Sequence, residues 1–149
     1  MKALVLEATW APRGDLAVAP SLDPTVPHPG HLAWRDPRAA LVEVDDPRPA
    51  ADEVLIEVRA CGVCGSDTHC VETDDDGYLR FSGPLAPPVV MGHEYAGEVI
   101  ACGPDVRGLR PGDTVAAEGM LWCGVCAPCR AGQPNQCRSL RMVGFSSPG

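Results

Sequence analysis

The chain predicts a mostly β domain, a barrel or sandwich of short strands with short helices and a metal-binding lobe. Three observations carry that expectation. Gly and Pro each occur 16 times in 149 residues, so the backbone turns often and has little room for long helices. The β-rich runs are short and bounded by Gly, Pro or Asp, the punctuation of sandwiches and barrels. Four cysteines, Cys123, Cys126, Cys129 and Cys137, crowd into one Gly- and Pro-bearing stretch.

The elements follow in order. Lys2 to Glu7 reads as a first strand. Residues 8 to 39, with Pro20, Pro24, Pro27, Pro29 and Pro37, read as a long loop or insertion holding at most a short strand. Ala40 to Val44 is a strand stopped by Asp45, Asp46 and Pro47. Glu53 to Ala60 is the best strand in the chain, β-rich and partly alternating. Cys61 to Ser66 turns, and Asp67 to Val71 begins a short helix. Asp74 to Gly77 is a turn, and Pro84, Pro87 and Pro88 mark a loop. Glu94 to Cys102 is a strand closed by Gly103 and Pro104. Arg110 to Asp113 turns tightly into the strand Thr114 to Ala117.

At 45% hydrophobic and 21% charged, the composition is that of a globular domain and not of a disordered chain. Aromatic residues are only 5%, which assigns the core to Val, Leu, Ile and Ala. The formal net charge of -8 argues against nucleic acid as a partner, since a phosphate backbone is held by clustered Lys and Arg. Ala3 to Leu6 is too short an apolar stretch for a signal peptide, and no stretch is long enough to span a bilayer. The expectation is a cytoplasmic chain with no membrane partner. In a reducing compartment, 8 cysteines indicate metal or catalysis ahead of disulfides. The even count keeps a disulfide framework as the alternative.

Spacing favours metal. Cys123, Cys126, Cys129 and Cys137 form C-x2-C-x2-C-x7-C. Two-residue gaps let a turning backbone aim successive sulfurs at one centre, and the longer gap returns the fourth. Four thiolates make a closed, tetrahedral zinc site of the structural type. Gly124, Pro128 and Gly132 suit the turns between ligands, where backbone N–H groups also support the sulfurs. A second group is weaker residue by residue: Cys64, Ser66, Asp67 and His69 in one segment, His93 and Glu94 in another. Cys, His and carboxylate are the ligand types of a catalytic zinc with an open position. Asp67 is a plausible acceptor for the ring N–H of His93, fixing its tautomer. No GxGxxG fingerprint occurs, so these residues contain no dinucleotide-binding unit.

Four segments together resemble the zinc-dependent medium-chain alcohol and polyol dehydrogenases: CGVCGSDTH (61–69), GHEYAGEVIACGPDV (92–106), GLRPGDTVAAE (108–118) and CGVCAPCRAGQPNQC (123–137). They stand in that family's order and spacing. The resemblance implies a GroES-like β-barrel over residues 1–149, the N-terminal catalytic domain, with a structural-zinc lobe over about 119–140. Cys64, His93 and Glu94 match catalytic-zinc positions, Glu94 being a ligand in the sorbitol-type branch. Ser66 matches the hydroxyl that hydrogen-bonds the reacting alcohol, His69 the end of the proton relay, and Asp67 the carboxylate behind the histidine. Cys61, Cys70 and Cys102 match no functional position and read as small buried residues. Gly65 stands where some members carry a basic residue near the cofactor pyrophosphate.

The implied function is oxidation of a secondary alcohol. Zinc acts as Lewis acid, Ser66 passes the proton towards His69, and hydride moves to NAD or NADP. The nucleotide-binding domain that would hold this cofactor is absent from the chain, which the resemblance therefore implies is inactive alone and a homo-oligomer when complete. The chain's opening, with ETDDDGYLRF (72–81) and AEGMLWCG (117–124), is most similar to the inosose- and inositol-type branch. That implies a cyclic polyol substrate, with Tyr78 and Glu118 as candidates to line its pocket. The rival expectation is a structural zinc module for protein contact, without catalysis.

Overall fold

The computed structural model describes residues 1–18 and 23–148; Pro20, in the expected loop, and Gly149 lie outside the described residues. Strands dominate, as expected, and among the described residues no helix is longer than five residues. In chain order the first elements are β1 (Lys2–Trp10), a 3₁₀ turn (Gly14–Val18), β2 (His28–Pro29), α1 (Gly30–Ala33), β3 (Trp34–Glu43) and β4 (Val54–Cys61). Next come α2 (Gly65–His69), β5 (Pro84–Leu85), β6 (Val89–Val90), β7 (Tyr95–Cys102) and β8 (Thr114–Ala116). The lobe closes the chain with β9 (Met120–Leu121), α3 (Ala127–Arg130), a 3₁₀ turn (Pro134–Gln136) and β10 (Arg141–Met142).

Two three-stranded antiparallel sheets form the body. One has the order β3-β1-β6, the other β4-β7-β8; β2-β5 and β9-β10 form two-stranded pairs, and isolated bridges such as Arg35 opposite Tyr78 add to them. The β1–β3 register runs from Lys2 opposite Glu43 to Trp10 opposite Trp34, with a shift between Glu7 and Thr9. That shift explains the first correction. Residues 34 to 39 are strand and not loop, because β3 continues through Asp36 and Pro37 by means of an irregularity. Asp36 has φ 52 there, and Pro37 lacks an N–H. Both are turn signals, yet a bulge accommodates them at the cost of one unpaired position.

Smaller corrections have similar causes. The helix expected over 67–71 instead begins at Gly65 and ends at His69. The loop of Pro84, Pro87 and Pro88 contains two short strands, which pair with β2 and with Val5–Leu6 of β1. The core is also more aromatic than expected. Leu6, Trp34, Leu79, Leu85, Val89 and Cys70 are buried together with Phe81 and Phe145, the chain's two phenylalanines. Their rings stack at 4.6 Å between centroids, 9° from parallel. Few aromatics thus weigh heavily, because each buries far more area than an aliphatic side chain. Of the three cysteines read as buried, Cys70 is; its thiol is pushed up to about 12 by burial and by the charge of Asp67. Cys102 is half-buried and Cys61 exposed, since both end strands at the margin of the β4–β7 pair. Among the described residues no helix is long and apolar enough to cross a membrane.

Candidate metal centres

Among the described residues, two groups of side chains converge closely enough for each to share one ion: Cys123, Cys126, Cys129 and Cys137, and separately Cys64, His93 and Glu94. In the first, Gly124 (φ 71) and Gly132 (φ 76) turn the chain by a left-handed step that other residues rarely take. Cys126 precedes α3 and Cys137 follows the last 3₁₀ turn, so helix termini aim both inwards. The sulfur separations are 3.4 Å for Cys126–Cys129, 3.6 Å for Cys137–Cys123 and 4.0 Å for Cys126–Cys137. A tetrahedron with zinc–sulfur bonds of 2.3 Å has edges of about 3.8 Å. The shortest of these separations, 3.4 Å, is well beyond an S–S bond of about 2.05 Å, so no disulfide joins these cysteines in this structure.

Backbone donors surround these sulfurs. The N–H groups of Cys123 and Ser139 donate to Cys137 Sγ at 3.3 Å each, and that of Cys126 to Cys123 Sγ at 3.4 Å. Backbone hydrogen bonds from Arg138 and Cys129 hold the Cys126 thiol down at about 6, and those from Cys123 and Ser139 lower Cys137. Desolvation and the neighbouring Cys126 sulfur push Cys129 up to about 12. Crowded sulfurs cannot all be thiolates without a cation among them, and a soft divalent ion that displaces the protons resolves the conflict.

The second group is assembled from two distant segments. Cys64 immediately precedes α2, and its N–H donates to Asp67 Oδ2 at 2.9 Å, which fixes the start of the helix. His93 and Glu94 lie just before β7, after Gly92 with φ 105. One donor atom from each of Cys64, His93 and Glu94 lies within 4.8 Å of the others. Cys64 and His93 are half-buried and Glu94 is exposed, so the group opens on one side. Ser66 Oγ stands 3.4 Å from His93 Nε2. On the far side of the ring, Asp67 Oδ1 faces Nδ1 at 3.4 Å; both atoms are buried and neither makes a hydrogen bond. Such orphaned partners fit an imidazole whose Nε2 is committed to a metal, leaving Nδ1–H to point at a carboxylate.

His69 is apart from this cluster. It is exposed, and its Nδ1 pairs with Glu72 at 3.0 Å. Three residues from Ser66 on α2, it shares that helix's face. Tyr78 is engaged elsewhere: the Arg13 guanidinium covers its ring at 3.8 Å and also donates to Asp74 at 2.7 Å. Glu118 is exposed, and at Gly65 a Cβ would meet nothing within 4 Å. A cavity of about 580 Å³ between β1 and the β4–β7 pair is lined by Leu4, Ile56, Met91 and Cys61 but by none of the ligand-type residues above. Reasoning from the sequence missed Phe145, whose ring lies 4.7 Å from that of His93. Its only signal is an isolated aromatic after a glycine beyond the cysteine cluster.

Residues 50–149 match the alcohol dehydrogenase GroES-like domain, and the chain belongs to that family. The particular relatives agree. Scyllo-inosose 3-dehydrogenase of Thermotoga maritima is 40% identical over 157 residues, covering 100% of this chain and 40% of that protein. L-threonine 3-dehydrogenase of Pyrococcus horikoshii is 43% identical over 111 residues, 74% of this chain and 31% of that one. A solved Thermotoga maritima structure assigned to the alcohol dehydrogenases superposes with a TM-score of 0.92 at 38% identity, over 99% of this chain and 40% of that one. The chain thus spans about 40% of the length of the first curated relative it matches.

Proposed function

We propose that residues 1–149 are the catalytic domain of a zinc-dependent dehydrogenase that oxidises a secondary alcohol of the polyol class, with hydride passing to NAD or NADP. The observation that carries this reading is the meeting of Cys64, His93 and Glu94 donor atoms within 4.8 Å, with a serine hydroxyl at its edge. When bound there, zinc supplies a Lewis acid that polarises the substrate hydroxyl. Cys64, His93 Nε2 and Glu94 would hold it, and the four clustered cysteines would hold a second, structural ion.

The chain's own residues do the rest. Ser66 Oγ accepts the substrate's hydroxyl proton and relays it towards His69, whose exposed ring delivers it to solvent. Asp67 orients His93 and, through the Cys64 N–H, the start of α2 as well. Glu94 would supply a ligand from the exposed side of the group. The nicotinamide cofactor, its nucleotide-binding domain, homo-oligomer assembly and a cytoplasmic location belong to this reading of the longer protein.

The inosose name of one relative and the similarity around residues 72–81 and 117–124 support a cyclic polyol, an inositol or inosose. The threonine dehydrogenases in the same family offer the competing substrate class. A site that hydrogen-bonds several hydroxyls rejects analogues lacking them, because its polar groups are then left unpaired. The test compares turnover of inositol, inosose, sorbitol, threonine and ethanol by a version carrying the nucleotide-binding domain. Greater efficiency on ethanol or threonine than on every polyol overturns the substrate class and leaves the zinc chemistry standing. The non-catalytic zinc module accounts for the cysteine lobe alone and gives Cys64, Ser66, His93 and Glu94 no reason to converge.

A further inference from the structure

The cysteine lobe and the His93 segment touch, and nothing in the proposed chemistry uses that contact. At the start of the lobe, a Cβ on Gly119 would stand 3.3 Å from the His93 carbonyl oxygen. The Val143 N–H donates to the Gly119 carbonyl at 2.9 Å, tying the two ends of the lobe together beside His93. Gly144 comes closer still: with φ 79, a Cβ there would lie 2.5 Å from the Gly92 carbonyl oxygen and 2.9 Å from its nitrogen. Only the absence of a Cβ at Gly144 allows these two backbones to approach so far.

Phe145 follows Gly144 and is fully buried. Its ring centroid lies 4.7 Å from that of His93, tilted by 45°, while Phe81 stacks on it at 4.6 Å. Its backbone is fixed as well: its N–H donates to Met142 at 3.2 Å and its carbonyl accepts from Ala86 at 2.9 Å. Asp67 faces the edge of the imidazole at Nδ1, an edge constraint that leaves the tilt of the ring to its packing. Phe145 supplies that packing from the turn that follows β10, the last strand of the lobe.

We propose that Phe145 is a positioning residue for His93. It holds the imidazole at the tilt that aims Nε2 into the Cys64–Glu94 group, and so couples the lobe's integrity to the affinity of that centre for its metal. The inference rests on the two-centre reading above. Residues beside a ligand that orient it typically set metal affinity by tenfold or more.

The test loads the 149-residue chain with two equivalents of Co²⁺ during refolding and titrates it with a chelator, following the thiolate-to-cobalt bands. The four-thiolate and one-thiolate centres differ in intensity and ligand field, so the release of each is followed separately. Three chains are compared: the parent, Phe145→Leu, and Phe81→Leu. The last loses an equal buried ring while leaving Phe145 against His93. The expected result is that Phe145→Leu releases the one-thiolate cobalt at about tenfold lower chelator than the parent, with the four-thiolate cobalt unmoved and Phe81→Leu near the parent. Equal weakening in both variants means general loosening of the core and overturns the proposal, as does an unchanged midpoint in Phe145→Leu. A parent that takes up only one cobalt overturns the two-centre reading itself. Should Phe145→Leu fail to fold, Phe145→Met, which conserves volume without a ring, takes its place.

Discussion

Asp67 holds both halves of the Cys64–His93 group: one carboxylate oxygen accepts the Cys64 N–H at 2.9 Å, and the other faces His93 Nδ1 at 3.4 Å. The two segments are 29 residues apart in the chain, from Cys64 to His93, and this one side chain bridges them. Asp67→Asn keeps the shape and removes the charge that favours Nδ1–H. It is expected to weaken metal binding at this centre by about 10–100-fold while the cysteine lobe keeps its ion. Elemental analysis after mild chelation checks this: the variant should retain one zinc per chain where the parent retains two. Equal retention would remove Asp67 from the site.

The proposed structural ion would couple metal binding to folding in the lobe. Between Leu121 and Arg141 it has two short helical turns and no apolar core of its own, so a tetrahedral ion is its natural centre of packing. Cys126→Ser should cost the chain one zinc and open residues after Leu121 to proteolysis, because structural zinc binding and folding are one equilibrium. A metal-free preparation that keeps the lobe protected contradicts the structural assignment.

Ser66→Ala tests the opposite behaviour. The hydroxyl is part-buried and its one partner is His93 Nε2 at 3.4 Å, so its loss should change stability by no more than about 0.5 kcal/mol. In a version with the nucleotide-binding domain, turnover should fall by about 10²–10⁴-fold, the usual range for a group that moves a proton in the transition state. Thermal melting of the short chain and steady-state rates of the long one separate the two effects. Destabilisation as great as that of Cys126→Ser would erase the division between structural and catalytic roles.

Glycines at positive φ are not equivalent. At Gly124 (φ 71) a Cβ meets nothing within 4 Å, whereas at Gly144 (φ 79) it would run into the backbone of Gly92. Gly124→Ala should therefore cost only the left-handed strain, about 1–2 kcal/mol. Gly144→Ala adds a backbone clash that no rotamer relieves, and should cost clearly more. At roughly 2–4 °C per kcal/mol for a chain of this size, melting temperatures resolve the difference. A Gly144 variant as stable as the Gly124 variant would mean that the turn before Phe145 is not pinned.

The Arg13–Asp74 pair predicts a pH dependence. Arg13 hydrogen-bonds Asp74 at 2.7 Å and holds its carboxyl below the usual aspartate range. A depressed carboxylate contributes stability above its unfolded value and loses it as pH falls through the lower folded value. The stability gap between the parent and Arg13→Met should thus be constant near neutrality and close below pH about 3.8. Melting temperatures from about pH 7 down to about pH 2, below the lowered folded value, measure it. A gap that persists at the acid end would assign Arg13's role to its cover over Tyr78 instead of to charge.

The β class and the cysteine lobe were legible in the residues themselves, because both are written in local chemistry. Turn residues bound the strands, and Cys123, Cys126, Cys129 and Cys137 meet within one stretch whose spacing is itself the geometry. The strand through Asp36 and Pro37 was not legible. Its local signals are those of a turn, and only pairing with β1 and Tyr78 makes them strand. The Cys64–His93–Glu94 group stands between these cases: the residue types are visible, but their convergence depends on β4 and β7 pairing so that Cys61 lies opposite Tyr95. Phe145 against His93, Arg13 over Tyr78 and the exposure of Cys61 were decided by the tertiary structure alone. Each is a contact or its absence between segments far apart in sequence, and spacing carries no information about distances that the packing of sheets creates.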